Sequence, residues 1–396
     1  MMQISPEIQL FIREHSSDDV RALALQVKKY PDIDMPTAIT QIAGRKVAAE
    51  KIPSWWEIEK IWYPKHLSLE QCSSEITARY KARLLQGDSL TDLTGGFGID
   101  CSFLATGFKS ATYVERQEEL CEIAAHNFPV LNLNHINIKN EDGVTYLQAM
   151  SPVDCLFLDP ARRNEHGGKT VAISDCEPNV AELEELLLQK ANRVMIKLSP
   201  MLDLSLALKE LKQTQEVHIL SVNNECKELL ILLGQTSPTE ISIHCVNLFT
   251  KGTQKEQHFV FTREQEQCSE CTYTDSLETY LYEPNASLLK AGAFRSIAAA
   301  YPVRKLHPNS HLYTSDTFIE NFPGRIFRIV NQCSFNKKEV KENLADLKKA
   351  NVTVRNFPAT VAELRKRIHL AEGGDTYLFA STLNNGQKVL IRCEKV

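Results

Sequence analysis

The feature that most constrains this chain is a glycine-rich turn between a short apolar strand and a helical run. The stretch from Ser89 to Asp100 reads SLTDLTGGFGID. Glycine has no Cβ, so a turn containing Gly95, Gly96 and Gly98 can bring bare backbone N–H groups close to a ligand. The helix that follows would present its positive N-terminus to the same ligand. The stretch therefore predicts a binding site for a nucleotide-like cofactor.

An acidic residue ends the next strand-like segment, about twenty residues further on. Glu115 closes the segment that begins at Ser110. A carboxylate at that strand end can accept hydrogen bonds from both ribose hydroxyls of a cofactor lying across the sheet. A surface glutamate is the alternative. The position at a strand end favours the ribose contact.

The spacing of the turn distinguishes between two cofactors. A dinucleotide fingerprint needs a third small residue, and Cys101 stands in its place. The pattern Asp92-x-x-x-Gly96-x-Gly98 instead resembles motif I of the class I S-adenosylmethionine-dependent methyltransferases. Thr94 stands where many members of that class carry a glycine. The resemblance implies S-adenosyl-L-methionine as cofactor and implies these cofactor-binding residues: Asp92, Thr94, Gly95, Gly96, Phe97, Gly98, Glu115, Arg116, Asp142, Gly143 and Asp159.

Asp142 is the least specific member of that set. By the resemblance it falls where these enzymes place an acid near the adenine amino group. Asp142-Gly143 is also an ordinary turn signal, and that alternative stays open.

A second motif follows a continuous apolar run that ends at Leu158. The run is typical of a buried strand, and the segment after it reads DPARR, from Asp159 to Arg163. The segment resembles motif IV of methyltransferases that act on exocyclic amines, with an alanine for the second proline and Arg162 for the aromatic residue. The resemblance implies that Asp159 accepts a hydrogen bond from the target amino group. The predicted catalytic residues are Asp159, Pro160 and Lys197, and the predicted substrate-binding residues are Arg162, Arg163 and Lys169.

A different set of residues predicts a different acceptor. Lys81, Asp159, Lys197 and Glu228 are similar to the Lys-Asp-Lys-Glu tetrad of ribose 2′-O-methyltransferases, in which a lysine deprotonates the hydroxyl. Two further alternatives remain: a protein that binds RNA and cofactor without catalysis, and a methyltransferase acting on a small molecule or a protein. Methylation of carbon through a cysteine is disfavoured, because Ser199 stands where the thiol would be needed.

The order of predicted elements divides the 396-residue chain into four domains. Residues 1–70 show helical spacing, and residues 71–265 alternate strands with helices before a closing hairpin. That alternation matches the Rossmann-like seven-stranded α/β sheet of the class I methyltransferases. Residues 266–324 include a helical run from Ala286 to Ala300, and residues 325–396 have the order β-α-β-α-β-β. This combination resembles a bacterial methyltransferase family whose C-terminus contains ferredoxin-like and THUMP-like domains.

Charge is distributed unevenly along the chain. The net charge is −5, yet residues 290–396 carry 18 Lys and Arg against 9 Asp and Glu, which leaves −14 for the remainder. A basic appendage on an acidic protein is expected where a phosphate backbone is bound, although a solvated basic face is the alternative. THUMP modules bind RNA, so the resemblance implies tRNA or rRNA as partner.

Cysteine usage and hydropathy indicate the compartment. Eleven scattered cysteines are typical of reduced thiols inside a cell. No apolar run approaches the ~20 residues that span a bilayer, and the N-terminus has no signal-peptide pattern. We expect a cytoplasmic protein without a membrane partner, a monomer being favoured. Cys268 and Cys271 have the spacing of half a zinc site, but no second pair completes it, so no metal is expected.

Overall fold

The computed structural model describes residues 5–162, 172–236 and 238–396, without the side chains of His66, Leu67 and Arg162. The chain divides into two units, Met1–Gln215 with Leu230–Pro238 and Glu216–Leu229 with Thr239–Val396. None of the described helices is long and apolar enough to cross a membrane.

The first unit begins with helices and continues with strands that alternate with helices. The N-terminal helices are α1 (Pro6–Glu14), α2 (Val20–Ala24), α3 (Met35–Lys51), α4 (Pro53–Trp56) and α5 (His66–Gln71). The alternating part contains α6 (Glu75–Ala82), β1 (Ser89–Asp92), α7 (Ile99–Ala105), β2 (Ser110–Glu115), α8 (Glu118–Val130), β3 (Ile136–Asn140), α9 (Gly143–Ala149), β4 (Val153–Leu158), β5 (Ala161–Arg162), β6 (Cys176–Glu177), α10 (Val180–Lys190), β7 (Ala191–Leu198) and α11 (Leu204–Glu210). The hairpin β8 (Thr214–Val222) and β9 (Glu225–Gly234) contributes residues to both units.

Local capping explains where several of these helices begin. The side chain of Ser5 accepts a hydrogen bond from the Ile8 N–H at the start of α1, and Asp34 does the same for Thr37 at the start of α3. Residues 1–70, predicted to be helical, contain five of the described helices. The two-residue turn of the β8–β9 hairpin is built from Asn223 and Asn224, which both have positive φ, as a type I′ turn requires.

Strands β10 (Ser242–Leu248) and β11 (Glu256–Thr262) extend the seven strands that the sequence predicts. Together, nine of the described strands form one sheet in the order β11-β10-β8-β9-β7-β4-β1-β2-β3. Strands β1, β2, β3, β4 and β7 are parallel, and Leu158 on β4 is in register with Ile196 on β7. Residues 159 and 197 therefore follow side by side at the carboxyl ends of neighbouring strands.

The N-terminal helices pack onto the glycine-rich turn through aromatic side chains. Phe97 is buried, and its ring centroid lies 5.2 Å from that of Trp55 and 6.2 Å from that of Tyr63. Tyr63 and Gln41 exchange hydrogen bonds, each 2.9 Å long, between the Tyr63 backbone and the Gln41 amide. The helical region is thus part of the core that holds the turn in place.

The second unit continues from β10 and β11 into a separate seven-stranded sheet. Its further elements are α12 (Arg263–Cys268), β12 (Tyr280–Pro284), α13 (Ala286–Ala291), α14 (Ser296–Ala300), β13 (Arg304–Lys305), β14 (Tyr313–Ser315), β15 (Gly324–Ser334), α15 (Lys337–Leu344), β16 (Lys349–Val354), α16 (Val361–Ile368), β17 (Ala371–Thr382) and β18 (Lys388–Lys395). The sheet has the order β13-β14-β12-β15-β18-β17-β16 among the described strands.

The C-terminal elements follow the predicted order with one correction. From β15 onward the order is β-α-β-α-β-β, as predicted. The single helix predicted from Ala286 to Ala300 is wrong: α13 ends at Gly292, whose φ of 77° is the left-handed C-terminal cap, and α14 is separate. Helices α15 and α16 pack into one core cluster through Leu344 and Leu364.

Candidate active site

Each of the three glycines in the turn has a different structural role. A Cβ on Gly95 would stand 2.2 Å from the ring of Tyr113, so only glycine fits against that buried tyrosine. Gly96 has a φ of 54°, and a Cβ there would meet only the Thr94 carbonyl oxygen, at 3.8 Å, among the described residues. Gly98, with a φ of 85°, caps α7. The backbone around Gly96 is therefore the open part of the turn.

Asp92 lies buried behind the turn with half of its carboxylate satisfied. Its Oδ1 accepts a hydrogen bond of 2.9 Å from the Thr94 N–H. Its Oδ2 is buried and has no hydrogen-bond partner among the described residues. Burial, with smaller contributions from Asp100, Asp159 and Glu115, raises the pKa of Asp92 well above its ordinary value. A buried carboxylate oxygen without a partner is costly, which points to a functional role.

Glu115 connects the end of β2 to the turn. Its carboxylate accepts hydrogen bonds of 2.8 Å from the N–H groups of Gly96 and Gln117. The hydroxyl of Tyr113 donates to the Gly96 carbonyl at 2.5 Å. Arg116 points away from this network, with 64% of its side chain exposed and an ion pair of 3.7 Å to Glu177. The structure thus places Glu115 at the turn and Arg116 at the surface, and the contact of Glu115 with ribose stays a prediction.

Asp142 and Gly143 lie where α9 begins. Asp142 Oδ1 accepts hydrogen bonds of 3.0 Å from the N–H groups of Val144 and Thr145, so the carboxylate is an N-terminal helix cap. A Cβ on Gly143 would stand 2.2 Å from the Leu93 carbonyl oxygen. Only glycine allows this approach, which places the Asp142-Gly143 turn beside the residues that follow β1. The contact with adenine stays a prediction.

Thr94 joins the two sequence motifs. Its hydroxyl oxygen accepts a hydrogen bond of 2.6 Å from the N–H of Asp159. Asp159 in turn pairs with Lys197, with Nζ and Oδ2 2.5 Å apart, while 36% of the Asp159 side chain remains exposed. Desolvation raises the pKa of Asp159 and Lys197 opposes the rise. Because solvent still reaches the group and Lys197 is in contact, we take Asp159 to be ionised at neutral pH.

The structure adds two residues that the sequence analysis did not assign. Asp100, in the first turn of α7, lies 3.0 Å from Lys81 Nζ and 3.5 Å from Lys197 Nζ. Ser73 donates to Asp100 at 2.7 Å and accepts from Lys81 at 2.9 Å. Burial alone would raise the pKa of Asp100, but the two lysines outweigh it and hold the pKa below the ordinary value.

These four charged residues, Lys81, Asp100, Asp159 and Lys197, are called the buried charge cluster below. Lys81 has no exposed surface, and Asp100 and Lys197 are less than a tenth exposed. The sequence signal for Asp100 is an acid in the first turn of a helix that contains no other charged residue. Favourable interaction of an acid with the helix dipole is an ordinary explanation for such a residue.

The remaining predicted residues have varied positions. The side chain of Phe97 is in the core, so its predicted contact with a cofactor depends on its backbone. Pro160 is buried directly after β4. The backbone of Arg162 belongs to β5, while Arg163 and Lys169 lie outside the described residues. Glu228, from the alternative tetrad, is buried within β9.

The second unit presents a different kind of charge. Seven basic residues around α15 and α16 are exposed and are called the C-terminal basic residues below: Lys337, Lys338, Lys341, Lys348, Lys349, Lys366 and Arg367. Arg367 lies over the ring of Phe335, with its guanidinium carbon 4.0 Å from the ring centroid.

Comparison with known proteins identifies the C-terminal region and one relative of the whole chain. A ferredoxin-like domain family matches residues 280–323, and a THUMP-like domain family matches residues 324–395. The crystal structure of a "putative methyltransferase" from Porphyromonas gingivalis W83 is 34% identical, with a TM-score of 0.87 over 100% of both chains.

Two other solved structures overlap only part of the chain. An rRNA methylase from Streptococcus thermophilus is 14% identical over 40% of this chain and 93% of its own, with a TM-score of 0.29. A Streptococcus mutans protein in complex with SAH is 13% identical over 40% of this chain and 96% of its own, with a TM-score of 0.30. With TM-scores this low, neither structure supports a conclusion about this protein. No curated protein sequence matches the chain.

The fold and these matches define an α/β methyltransferase-like protein with C-terminal ferredoxin-like and THUMP-like domains. Identity of 34% over the full length of both chains is decisive for common descent. The chain belongs to the same family as the Porphyromonas gingivalis protein.

Proposed function

We propose that the protein is an S-adenosylmethionine-dependent methyltransferase that modifies a base amino group, guanine N2 or a similar amine, of tRNA or rRNA. The observation that carries the proposal is the attachment of Asp159 to the glycine-rich turn through Thr94, with Lys197 beside it. This arrangement puts a carboxylate for an acceptor amine next to a cradle for a cofactor.

The residues of the turn fit the proposed cofactor. Gly96 offers open backbone that a Cβ would partly fill, and Asp92 holds a buried oxygen that has no hydrogen-bond partner among the described residues. Each carboxylate oxygen of Glu115 accepts one hydrogen bond from a backbone N–H group. Each oxygen can accept a further hydrogen bond. When bound, S-adenosylmethionine supplies a methyl group on a positively charged sulfur.

The protein's own residues mainly have to align the acceptor. The exposed part of the Asp159 carboxylate accepts a hydrogen bond from the target amino group and orients its lone pair. Lys197 keeps Asp159 ionised and fixes its position. Asp100 holds Lys197 in turn, so the other members of the buried charge cluster fix the position of the half-buried Asp159 carboxylate.

The ribose 2′-O alternative needs a lysine that can touch a hydroxyl. Lys81 has no exposed surface and is held by Asp100 and Ser73. Lys197 is 10% exposed and paired with two carboxylates. These contacts favour structural roles for both lysines and therefore favour an amine as acceptor.

RNA as substrate is supported by the second unit. The THUMP-like match covers residues 324–395, and the C-terminal basic residues are exposed on and around its helices. Exposed cations bind phosphates without reading sequence, so they would position an RNA rather than select the base.

The test is transfer of labelled methyl from S-adenosylmethionine to total RNA from cells that lack the protein, followed by nucleoside analysis. We expect a labelled N2-methylguanosine or another N-methylated nucleoside. Label in a 2′-O-methyl nucleoside would support the tetrad instead. Absence of label, with cofactor binding shown by calorimetry, would contradict RNA as substrate.

Two variants locate the chemistry. Asp159→Ala should abolish transfer while calorimetry shows nearly unchanged cofactor affinity. Asp88→Ala is the matched control, because Asp88 is an exposed aspartate whose side chain pairs only with exposed Lys109 among the described residues. Full activity of Asp159→Ala would remove Asp159 from the mechanism.

A further inference from the structure

Three histidines and a glutamate lie on one face of neighbouring strands in the second unit. His218 on β8 is directly opposite His244 on β10, and Ser242 is opposite Glu216. Side chains two residues apart point to the same face of a strand, so Glu216 lies beside His218 on that face. On β11 the partner of His244 is Val260, and His258 lies two residues away, again on the same face.

The side chains converge as well as sharing a face. The rings of His218 and His244 are stacked with centroids 4.3 Å apart, and those of His244 and His258 with centroids 5.3 Å apart. Glu216 Oε2 lies 3.2 Å from His218 Nε2. The nearest nitrogens of His244 and His258 are also 3.2 Å apart. One donor atom each from Glu216, His218 and His244 falls within 4.8 Å of the others.

Two of these separations, 3.2 Å between Glu216 and His218 and 3.2 Å between His244 and His258, are close to those of ligands on a common metal ion. Zinc–nitrogen bonds of about 2.0–2.1 Å in a tetrahedral site put neighbouring ligand nitrogens about 3.3 Å apart. Imidazole nitrogens with a carboxylate oxygen suit Zn²⁺, Ni²⁺ or Cu²⁺, whereas Mg²⁺ and Ca²⁺ prefer oxygen ligands alone. The cysteine spacing on which the expectation of no metal rested is unrelated to this cluster.

We propose that Glu216, His218 and His244 bind one Zn²⁺ ion, with His258 as the fourth ligand. The stacked rings of His218 and His244 lie only 18° from parallel, so one of them must rotate before both nitrogens point at one ion. His244 is half-buried and His258 is exposed, and a change of rotamer at these two positions would complete the tetrahedron. Four protein ligands make a closed site of the structural type. The ion would tie β11, which lies at the edge of the sheet, to β10 and β8.

The test uses the full-length chain, freed of metal with a chelator and titrated with Zn²⁺ by calorimetry. We expect one equivalent to bind with a dissociation constant of about 1 μM or tighter. Zinc-edge X-ray absorption of that complex should show nitrogen and oxygen neighbours at about 2.0–2.1 Å, and no sulfur at about 2.3 Å. This measurement needs no variant, so it does not depend on a mutant folding.

Three variants assign the ligands. His244→Ala should no longer bind the one equivalent of Zn²⁺, and circular dichroism should confirm that this variant folds. His258→Asn, at an exposed position, should weaken binding by at least about tenfold, since even outer-shell changes cost that much. Cys268→Ser with Cys271→Ser should keep the equivalent. Loss of zinc in the cysteine variant alone, equal binding by His244→Ala and the parent, or no binding by the parent would each overturn the proposal.

Discussion

The two units use charge in opposite ways. In the first unit the buried charge cluster consists of two lysines and two aspartates in direct contact, with Lys81 wholly buried. In the second unit the C-terminal basic residues are exposed to solvent. A buried charge must be paired because desolvation is costly, whereas an exposed charge needs no partner and acts over a distance set by salt.

This difference teaches which charges can specify chemistry. Paired and buried groups hold a fixed geometry, so the half-buried carboxylate of Asp159 can be directed at a single atom. Exposed lysines keep their rotamer freedom and suit a partner with many equivalent phosphates. The comparison predicts large effects on stability from substitutions in the first region and small effects from substitutions in the second.

The largest effect should follow from Lys81→Met. Removing one cation leaves Asp100 buried with Lys197 as its one remaining cationic partner among the described residues. The loss of one partner from a buried ion pair lowers the free energy of unfolding by about 3–5 kcal/mol. The control is Lys341→Met on exposed α15, expected to stay within about 0.5 kcal/mol. Urea unfolding followed by circular dichroism measures both. Equal losses in the two variants would break the comparison.

Gly95→Ala should cause the next largest loss of stability. A Cβ 2.2 Å from the Tyr113 ring forces the turn or the ring to move, which costs about 1–3 kcal/mol. Cofactor affinity should fall with it, because the turn is displaced. Gly386→Ala is a useful contrast: a Cβ there meets none of the described residues within 4 Å, so its cost comes from the positive φ. Calorimetry should find cofactor binding intact in that control.

A pH-dependent effect is expected from Asp92→Asn. Since the pKa of Asp92 is raised in the folded protein from an ordinary 3.8, the folded state holds a proton that the unfolded state has lost. Stability therefore falls as pH rises from about 4 towards the folded pKa, by at most about 1.4 kcal/mol per pH unit. The asparagine variant should lack this slope, so its advantage in stability grows as the pH rises from about 4 towards the folded pKa. Urea midpoints that stay parallel across this range would contradict a protonated Asp92.

The smallest effect on stability should come from the triple variant Lys337→Gln, Lys338→Gln and Lys341→Gln. We expect no more than about 0.5 kcal/mol of change in unfolding free energy. RNA affinity should nevertheless drop, and the plot of log affinity against log salt should flatten by about 0.7 to 0.9 per lost phosphate contact. An unchanged salt slope would show that these lysines do not contact RNA.

Much of the fold was predictable because its signals are local. The turn at Gly95, Gly96 and Gly98 and the order β-α-β-α-β-β after residue 325 were both recognised from neighbouring residues. The helix predicted over residues 286–300 failed at Gly292, because helical periodicity continued past a glycine whose left-handed conformation ends α13.

The site was predictable only in part. Asp92, Glu115 and Asp159 could be proposed from the sequence because each stands at a strand end, and strand ends are visible in sequence. The sequence analysis missed Asp100 and Ser73. The contacts of Asp100 with Lys81, Lys197 and Ser73 join residues that lie far apart in the chain, so no local pattern indicates them. A short aspartate in a helix N-terminal turn has an ordinary explanation that hides its buried ion pairs.

The sequence by itself determined the order of helices and strands and the glycine turn, because backbone preferences and caps act within a few residues. Only the tertiary structure decided which charges are buried together, and it alone brought three histidines and a glutamate onto one face. Parallel and antiparallel pairing set those neighbours through register. Register depends on packing across the whole sheet, so no local stretch of residues contains it.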